Sequence, residues 1–161
     1  MTNWNNYFFK LCLAVASNSK CRSRQIGVII VRNNAIVSTG YNGPPRGMKH
    51  CGTLNKTCPR TQMLDYQSGR FLEKCPAGHA ESNAIAQAAM NGTALYGTSL
   101  YINTCLPCKD CMGKIINAGI KEVHCSEIGH YDELSLKMVE QCDIKVFQHG
   151  VEVKSCQTIK N

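Results

Sequence analysis

Long apolar runs are missing from this chain of 161 residues. The longest, LCLAVA (11–16) and IGVIIV (26–31), fall far short of the ~18–20 residues that span a bilayer, so no membrane segment is expected. The N-terminus lacks the basic region, apolar core and small-residue cleavage site of a secretory signal, which predicts a cytoplasmic protein. Internal repeats and linkers of biased composition are also lacking, and one domain over 1–161 is the simplest organisation at this length. Basic residues such as Arg22, Arg24, Arg46, Lys49 and Lys109 are scattered, with no run interleaved with aromatics as single-strand binders tend to show. A net charge of +7 nevertheless favours anionic partners, either nucleic acid or a phosphorylated small molecule. The 43% apolar and 18% charged content excludes a disordered or collagen-like chain. A chain of this size buries roughly 68–70% of its unfolded surface and needs no metal to be globular.

Cysteine, by contrast, is in excess. Eleven cysteines make an odd and high number for a chain without an export signal, and a reducing compartment disfavours disulfides. The thiols are therefore expected as core residues or metal ligands.

Residues 2–19 set Trp4, Phe8, Leu11 and Val15 at helical spacing behind Thr2 or Asn3 as cap. IGVIIV (26–31) and AIVSTGY (35–41) flank Asn33-Asn34, a pair that tolerates positive φ, and read as a hairpin. AESNAIAQAAM (80–90) is strongly helix-forming and stops at Asn91-Gly92. Strands are expected at 99–104, 121–126 and 144–148, and helices at 108–119 and 132–141. Five strands alternating with helices predict an α/β fold on a mixed sheet. Between Asn42 and Gly78 lies a glycine-, proline- and cysteine-rich stretch too long for a structureless loop; within it, 62–74 reads as a short helix weakened by Gly69.

Chemistry concentrates in two segments. TCLPCKDC (104–111) contains two overlapping Cys-x-x-Cys pairs. Pro107 suits the first turn of a helix, so Cys108 and Cys111 share one face of that turn, where the helix dipole favours thiolate. Cys105 falls on the far side of the proline, at the strand end. The partner comes from CPAGHAES (75–82), with His79 at a helix entry and Glu81 two positions on. Side chains of a first turn lean back toward the helix N-terminus, so one of the two can ligate while the other stays free. One histidine and two cysteines leave a fourth tetrahedral position open, the pattern of a catalytic zinc. His-x-Glu followed by Pro-Cys-x-x-Cys is the mark of zinc nucleobase deaminases, and HAE (79–81) with PCKDC (107–111) matches it in order.

On these residues, together with SKCRSRQIGVIIV (19–31), STGYNGPPRG (38–47), HAESNAI (79–85) and LYINTCLPCKDCMGKIINAGI (100–120), the chain resembles the cytidine deaminase superfamily. Within it, the chain is similar to the deoxycytidylate (dCMP) deaminases of the phage and bacterial kind. Two positions depart from the pattern: Leu106 stands where Ser or Glu commonly precedes the proline, and HYDE (130–133) matches the tyrosine region loosely.

The resemblance implies a three-layer α/β/α fold and zinc-dependent deamination of dCMP to dUMP and ammonia. His79, Cys108 and Cys111 would hold catalytic zinc, and Glu81 would take the water proton, pass it to N3 and then help protonate the departing ammonia. Asn42 is the expected sugar ligand, the backbone around Ala80 and Leu106 would hold the base edge, and Tyr131 would contact substrate. Cys21, Cys51, Cys58 and Cys75 form a candidate structural zinc site, with His50 as an alternative ligand. An allosteric nucleotide site at a subunit interface is implied at Arg22, Arg24, Asn42, Gly43 and Arg46, where dCTP with Mg²⁺ activates and dTTP inhibits, in a homohexamer. A dCMP/dCTP enzyme and a nucleic-acid cytidine or adenosine deaminase are the rival readings.

Overall fold

The computed structural model describes residues 3–51, 58–67, 70–130 and 132–153. Helix α1 runs over Trp4–Ala16 and begins at Asn3, whose side-chain oxygen accepts from the Asn6 N–H at 3.3 Å. Its buried stripe is Phe8, Cys12 and Ala16. Trp4, expected on that stripe, is 44% exposed, because the inward stripe begins one turn later, at Phe8. Strands β1 (Gly27–Arg32) and β2 (Ala35–Tyr41) form the hairpin. Asn33 and Asn34 turn it with φ of 49° and 63°, the left-handed pair that matches strand twist.

The rest alternates as expected: α2 (Ala80–Met90), β3 (Ser99–Ile102), α3 (Lys109–Asn117), β4 (Glu122–Cys125), α4 (Glu133–Gln141) and β5 (Lys145–Gln148). A sixth strand, β6 (Val151–Glu152), corrects the expected five. It pairs with β5 across His149 and Gly150, both at positive φ, and is too short to show periodicity. The order is β2-β1-β3-β4-β5-β6, with β3, β4 and β5 parallel to their neighbours in that trio and every other pairing antiparallel. The mixed sheet is as read from the sequence.

Strand β1 is buried on both faces, which explains its unbroken apolar run. Val28 and Ile30 point to one side and join Leu100, Ile102, Val123 and Val146 under α2, α3 and α4. Ile29 and Val31 point to the other and meet Phe8, Cys12 and Tyr101 beneath α1. Helices thus cover both faces of the sheet in three layers. Two glycines allow that approach. A Cβ on Gly27 would stand 2.2 Å from the Cys12 carbonyl oxygen of α1, and one on Gly40 would stand 2.3 Å from the Ala84 nitrogen of α2.

No α-helix forms among the described residues of 62–74. Short 3₁₀ turns at Pro59–Gln62 and Leu72–Lys74 stand in its place, and left-handed residues at Asp65 (φ 62°) and Phe71 (φ 56°) interrupt any longer run. No helix among the described residues is long and apolar enough to cross a membrane.

Candidate active site

The starts of α2 and α3 meet, α2 entered from the Gly78 bridge to Gly43 just past β2 and α3 following β3. His79 is the N-cap of α2 and Cys108 the N-cap of α3; both backbones are extended, and neither side chain caps its own helix. Imidazole and thiol are therefore available to each other. The His79 Nδ1 lies 3.5 Å from the Cys108 Sγ and 3.4 Å from the Cys111 Sγ, and the three ligand atoms all fall within 4.8 Å of one another. Zinc bonds of about 2.3 Å to sulfur and about 2.0–2.1 Å to nitrogen, meeting at a tetrahedral angle, separate nitrogen from sulfur by roughly 3.5–3.6 Å. The donor set and its spacing fit a zinc ion.

The charges point the same way. The Cys108 thiol is pulled well below the ordinary thiol range, first by the hydrogen bond from Cys111 and then by His79. Cys111, as donor in that bond, is pushed up, and His79 is raised by its bond to Cys108. A cation that holds both sulfurs as thiolates would release any proton bound to them. Glu81, in the first turn of α2, is 5% exposed. Burial raises its carboxyl above the usual range, partly offset by the backbone N–H and His79, which brings a proton carrier nearer to neutral pH.

Helix α4 fixes the start of α3. The Asp132 carboxylate accepts from the Lys109 N–H at 2.7 Å and caps α4 through the Leu134 N–H at 3.1 Å. The wholly buried Ser135 hydroxyl donates to the Pro107 carbonyl at 2.6 Å. Sequence reasoning missed both roles. Asp132 carried a signal as the residue before a helix; Ser135 carried none.

A cleft of ≈ 310 Å³ opens beside His79 and Glu81, with Ala80, Leu106, Asn42 and Cys105 in its wall. Cys105 lines the cleft but is not part of the His79–Cys108–Cys111 group. The Asn42 amide is already engaged: its oxygen accepts from the Ile26 N–H at 2.9 Å and its nitrogen donates to the Arg24 carbonyl at 2.9 Å. Tyr131 lies outside the described residues.

The description "Cytidine and deoxycytidylate deaminase zinc-binding region" is that of a family matching residues 2–127, a span that includes His79, Glu81, Cys108 and Cys111. The chain belongs to this family. It is 40% identical over 146 residues to deoxycytidylate deaminase of Saccharomyces cerevisiae, an alignment covering 91% of this chain and 45% of the yeast protein. It is 35% identical over 127 residues to deoxycytidylate deaminase of Mycobacterium phage D29, covering 75% of this chain and 92% of the phage protein. The chain therefore spans less than half the length of the yeast relative and nearly all of the phage one. In three dimensions it is similar to the dCMP deaminase of cyanophage S-TIM5, solved in complex with dCMP and dUMP, at a TM-score of 0.72 and 24% identity, covering 92% of this chain and 98% of that one. That likeness establishes a shared fold.

The remaining residues singled out from the sequence fall into separate places. Arg24 lines the cleft, donating to the Thr104 hydroxyl at 2.7 Å and to Glu127 at 2.9 Å. Arg22 is exposed, and Arg46 engages Gln87 and Met90 in the last turn of α2. The three arginines do not converge on one point within the chain. Gly43 forms a two-way backbone bridge with Gly78, immediately before His79. Asn83 donates to the Tyr41 carbonyl at 2.9 Å beside that bridge. Cys21, Cys51, Cys58, Cys75 and His50 all line a second, small cavity of ≈ 10 Å³, although no three of their ligand atoms gather within 4.8 Å.

Proposed function

We propose that this deaminase hydrolyses dCMP to dUMP and ammonia, in the reaction class that supplies dUMP for thymidylate synthesis. The observation that carries the reading is a buried Glu81 beside His79, Cys108 and Cys111 at the wall of a nucleotide-sized cleft, in a chain whose relatives are named deoxycytidylate deaminases. His79, Cys108 and Cys111 would hold zinc, which when bound would supply Lewis acidity and lower the pKa of water at the site to about 7. Glu81 takes one proton from the attacking water and delivers it to N3 of the cytosine ring, then takes the remaining hydroxyl proton at C4 and passes it to the amino group, which leaves as ammonia as the C4 carbonyl forms. Its raised carboxyl suits both directions of transfer. The Ala80 and Leu106 backbone orients the base edge, and Asn42 contacts the sugar with the part of its amide not engaged by Ile26 and Arg24. The test is ammonia release from dCMP by the zinc-loaded protein, with deoxycytidine, dCTP and a cytosine-bearing oligonucleotide beside it. Turnover confined to the oligonucleotide would overturn the reading.

The finer proposals concern regulation, assembly and a second metal. A nucleotide triphosphate with Mg²⁺, dCTP activating and dTTP inhibiting, acts at the 42–47 loop with Arg22, Arg24 and Arg46, across subunits of a cytoplasmic homohexamer. The Gly43–Gly78 bridge supports the coupling, because it ties that loop to the residue preceding His79. The dCMP saturation curves should differ between no effector, dCTP with Mg²⁺, and dTTP; superimposed curves would leave the enzyme unregulated. Cys21, Cys51, Cys58 and Cys75, with His50 at the same cavity, are proposed as the ligands of a structural zinc.

A further inference from the structure

The catalytic assignments leave one buried cation in the cleft unexplained. Arg60, in the Pro59–Gln62 turn, is 5% exposed and lines the same cleft as His79 and Glu81. Its Nε donates to the Arg70 carbonyl at 2.8 Å, one terminal nitrogen faces the Gln67 carbonyl at 3.5 Å, and the guanidinium lies over the Tyr66 ring, 5.4 Å from its centre. Tyr66 is itself fixed by a 2.7 Å bond to the Ser23 hydroxyl. All eleven Asp and Glu side chains belong to described residues, yet Arg60 forms an ion pair with none of them. Arg24, the other arginine of the cleft, has its charge met by Glu127.

A buried guanidinium without a counter-charge is costly unless something anionic completes it. Arg60 is held by neutral carbonyls and a ring face, which fix its plane but leave its charge uncompensated. Its remaining N–H donors form the planar fork that matches a phosphate. We propose that Arg60 binds the 5′-phosphate of the substrate nucleotide and thereby makes the enzyme select a nucleoside monophosphate over the free nucleoside. This rests on the deamination reading above. It also gives the cysteine-rich stretch a role in specificity, since Arg60 sits two residues after Cys58 and shares the second cavity with it.

The experiment compares kcat/KM for dCMP and for deoxycytidine in wild type, Arg60→Gln and Arg60→Lys, with thermal melting and zinc content as controls. Loss of charge-assisted hydrogen bonds predicts that the preference for dCMP over deoxycytidine falls about 10–100-fold in Arg60→Gln, chiefly through KM. Arg60→Lys keeps the charge without the fork and should recover part of that preference. Inorganic phosphate should compete with dCMP in wild type and much less in Arg60→Gln. A folded, zinc-loaded Arg60→Gln with an unchanged preference, or one that loses both substrates equally, overturns the inference. Should Arg60→Gln fail to fold, Arg60→Lys decides alone: a lowered preference supports the inference and an unaltered one overturns it. If wild type releases no ammonia from either substrate, the deamination reading falls by itself, and calorimetric titration with inorganic phosphate then decides the role of Arg60. Phosphate binding lost in Arg60→Gln supports it, and equal binding overturns it.

Discussion

Glu81 combines burial with a place two residues after His79 in the first turn of α2, where its carboxyl also meets Cys111 of α3. A group that shuttles protons in this way typically contributes 10²–10⁴-fold. Glu81→Ala should therefore keep the fold and the metal while dCMP turnover falls at least about a hundredfold; turnover near wild type would remove Glu81 from the mechanism. His79→Ala, Cys108→Ser and Cys111→Ser should each lose zinc, whereas Cys105→Ser should retain it, as metal analysis of the four variants will show. The two motifs were legible because capping position and Cys-x-x-Cys spacing dictate geometry over a single helical turn. Arg60 was not, because a buried arginine in an irregular segment has no periodicity to announce it. Ser135 was hidden for a related reason: its bond to Pro107 spans 28 residues, and only the docking of α4 brings the two together.

Among the elements, the α2–β2 contact has little tolerance. A Cβ at Gly40 would stand 2.3 Å from the Ala84 nitrogen and 2.4 Å from the Ala80 oxygen, backbone atoms that cannot rotate away. Overpacking of this kind costs about 1–3 kcal/mol or more, and α2 carries both His79 and Glu81. Gly40→Ala should lower the melting temperature and weaken zinc binding together; an unchanged melting curve would refute the close approach. The sheet makes a second prediction. His124 stacks between Tyr101 and Phe147, at 4.3 and 4.7 Å, and burial lowers its pKa despite the nearby Glu122. Below about pH 6.5 the unfolded chain takes up a proton here that the folded chain resists, so stability falls with acidification, by up to about 1.4 kcal/mol per pH unit. His124→Phe should lessen that loss in urea titrations between pH 7.5 and 5.5; parallel losses in both proteins would assign it elsewhere. Most elements were foreseen from period and capping, including the α2 bounds, while β6 was missed because two residues cannot display an alternation.

For the molecule as a whole, the open question is what holds the 42–78 region against the α/β layers. Its regular structure amounts to two short 3₁₀ turns among the described residues, far too little hydrogen bonding to order so long an excursion. Five ligand-type side chains surround one small cavity there: Cys21 from the segment before β1, and His50, Cys51, Cys58 and Cys75 from the region itself. Only Cys58 is buried outright, and the ligand atoms stand wider apart than in the His79 group. Binding a metal would draw them inward and tie both ends of the region to the approach to β1, with binding energy appearing as folding energy. Fully loaded protein should then contain two zincs per chain, and Cys58→Ser with Cys75→Ser should remove one while leaving the His79 site filled. Proteolysis within the region should quicken in that double variant and in chelator-treated wild type. A single zinc per chain in fully loaded wild type would leave the Gly43–Gly78 bridge, the Tyr66–Ser23 bond and side-chain packing to hold the region, and would make its order independent of metal.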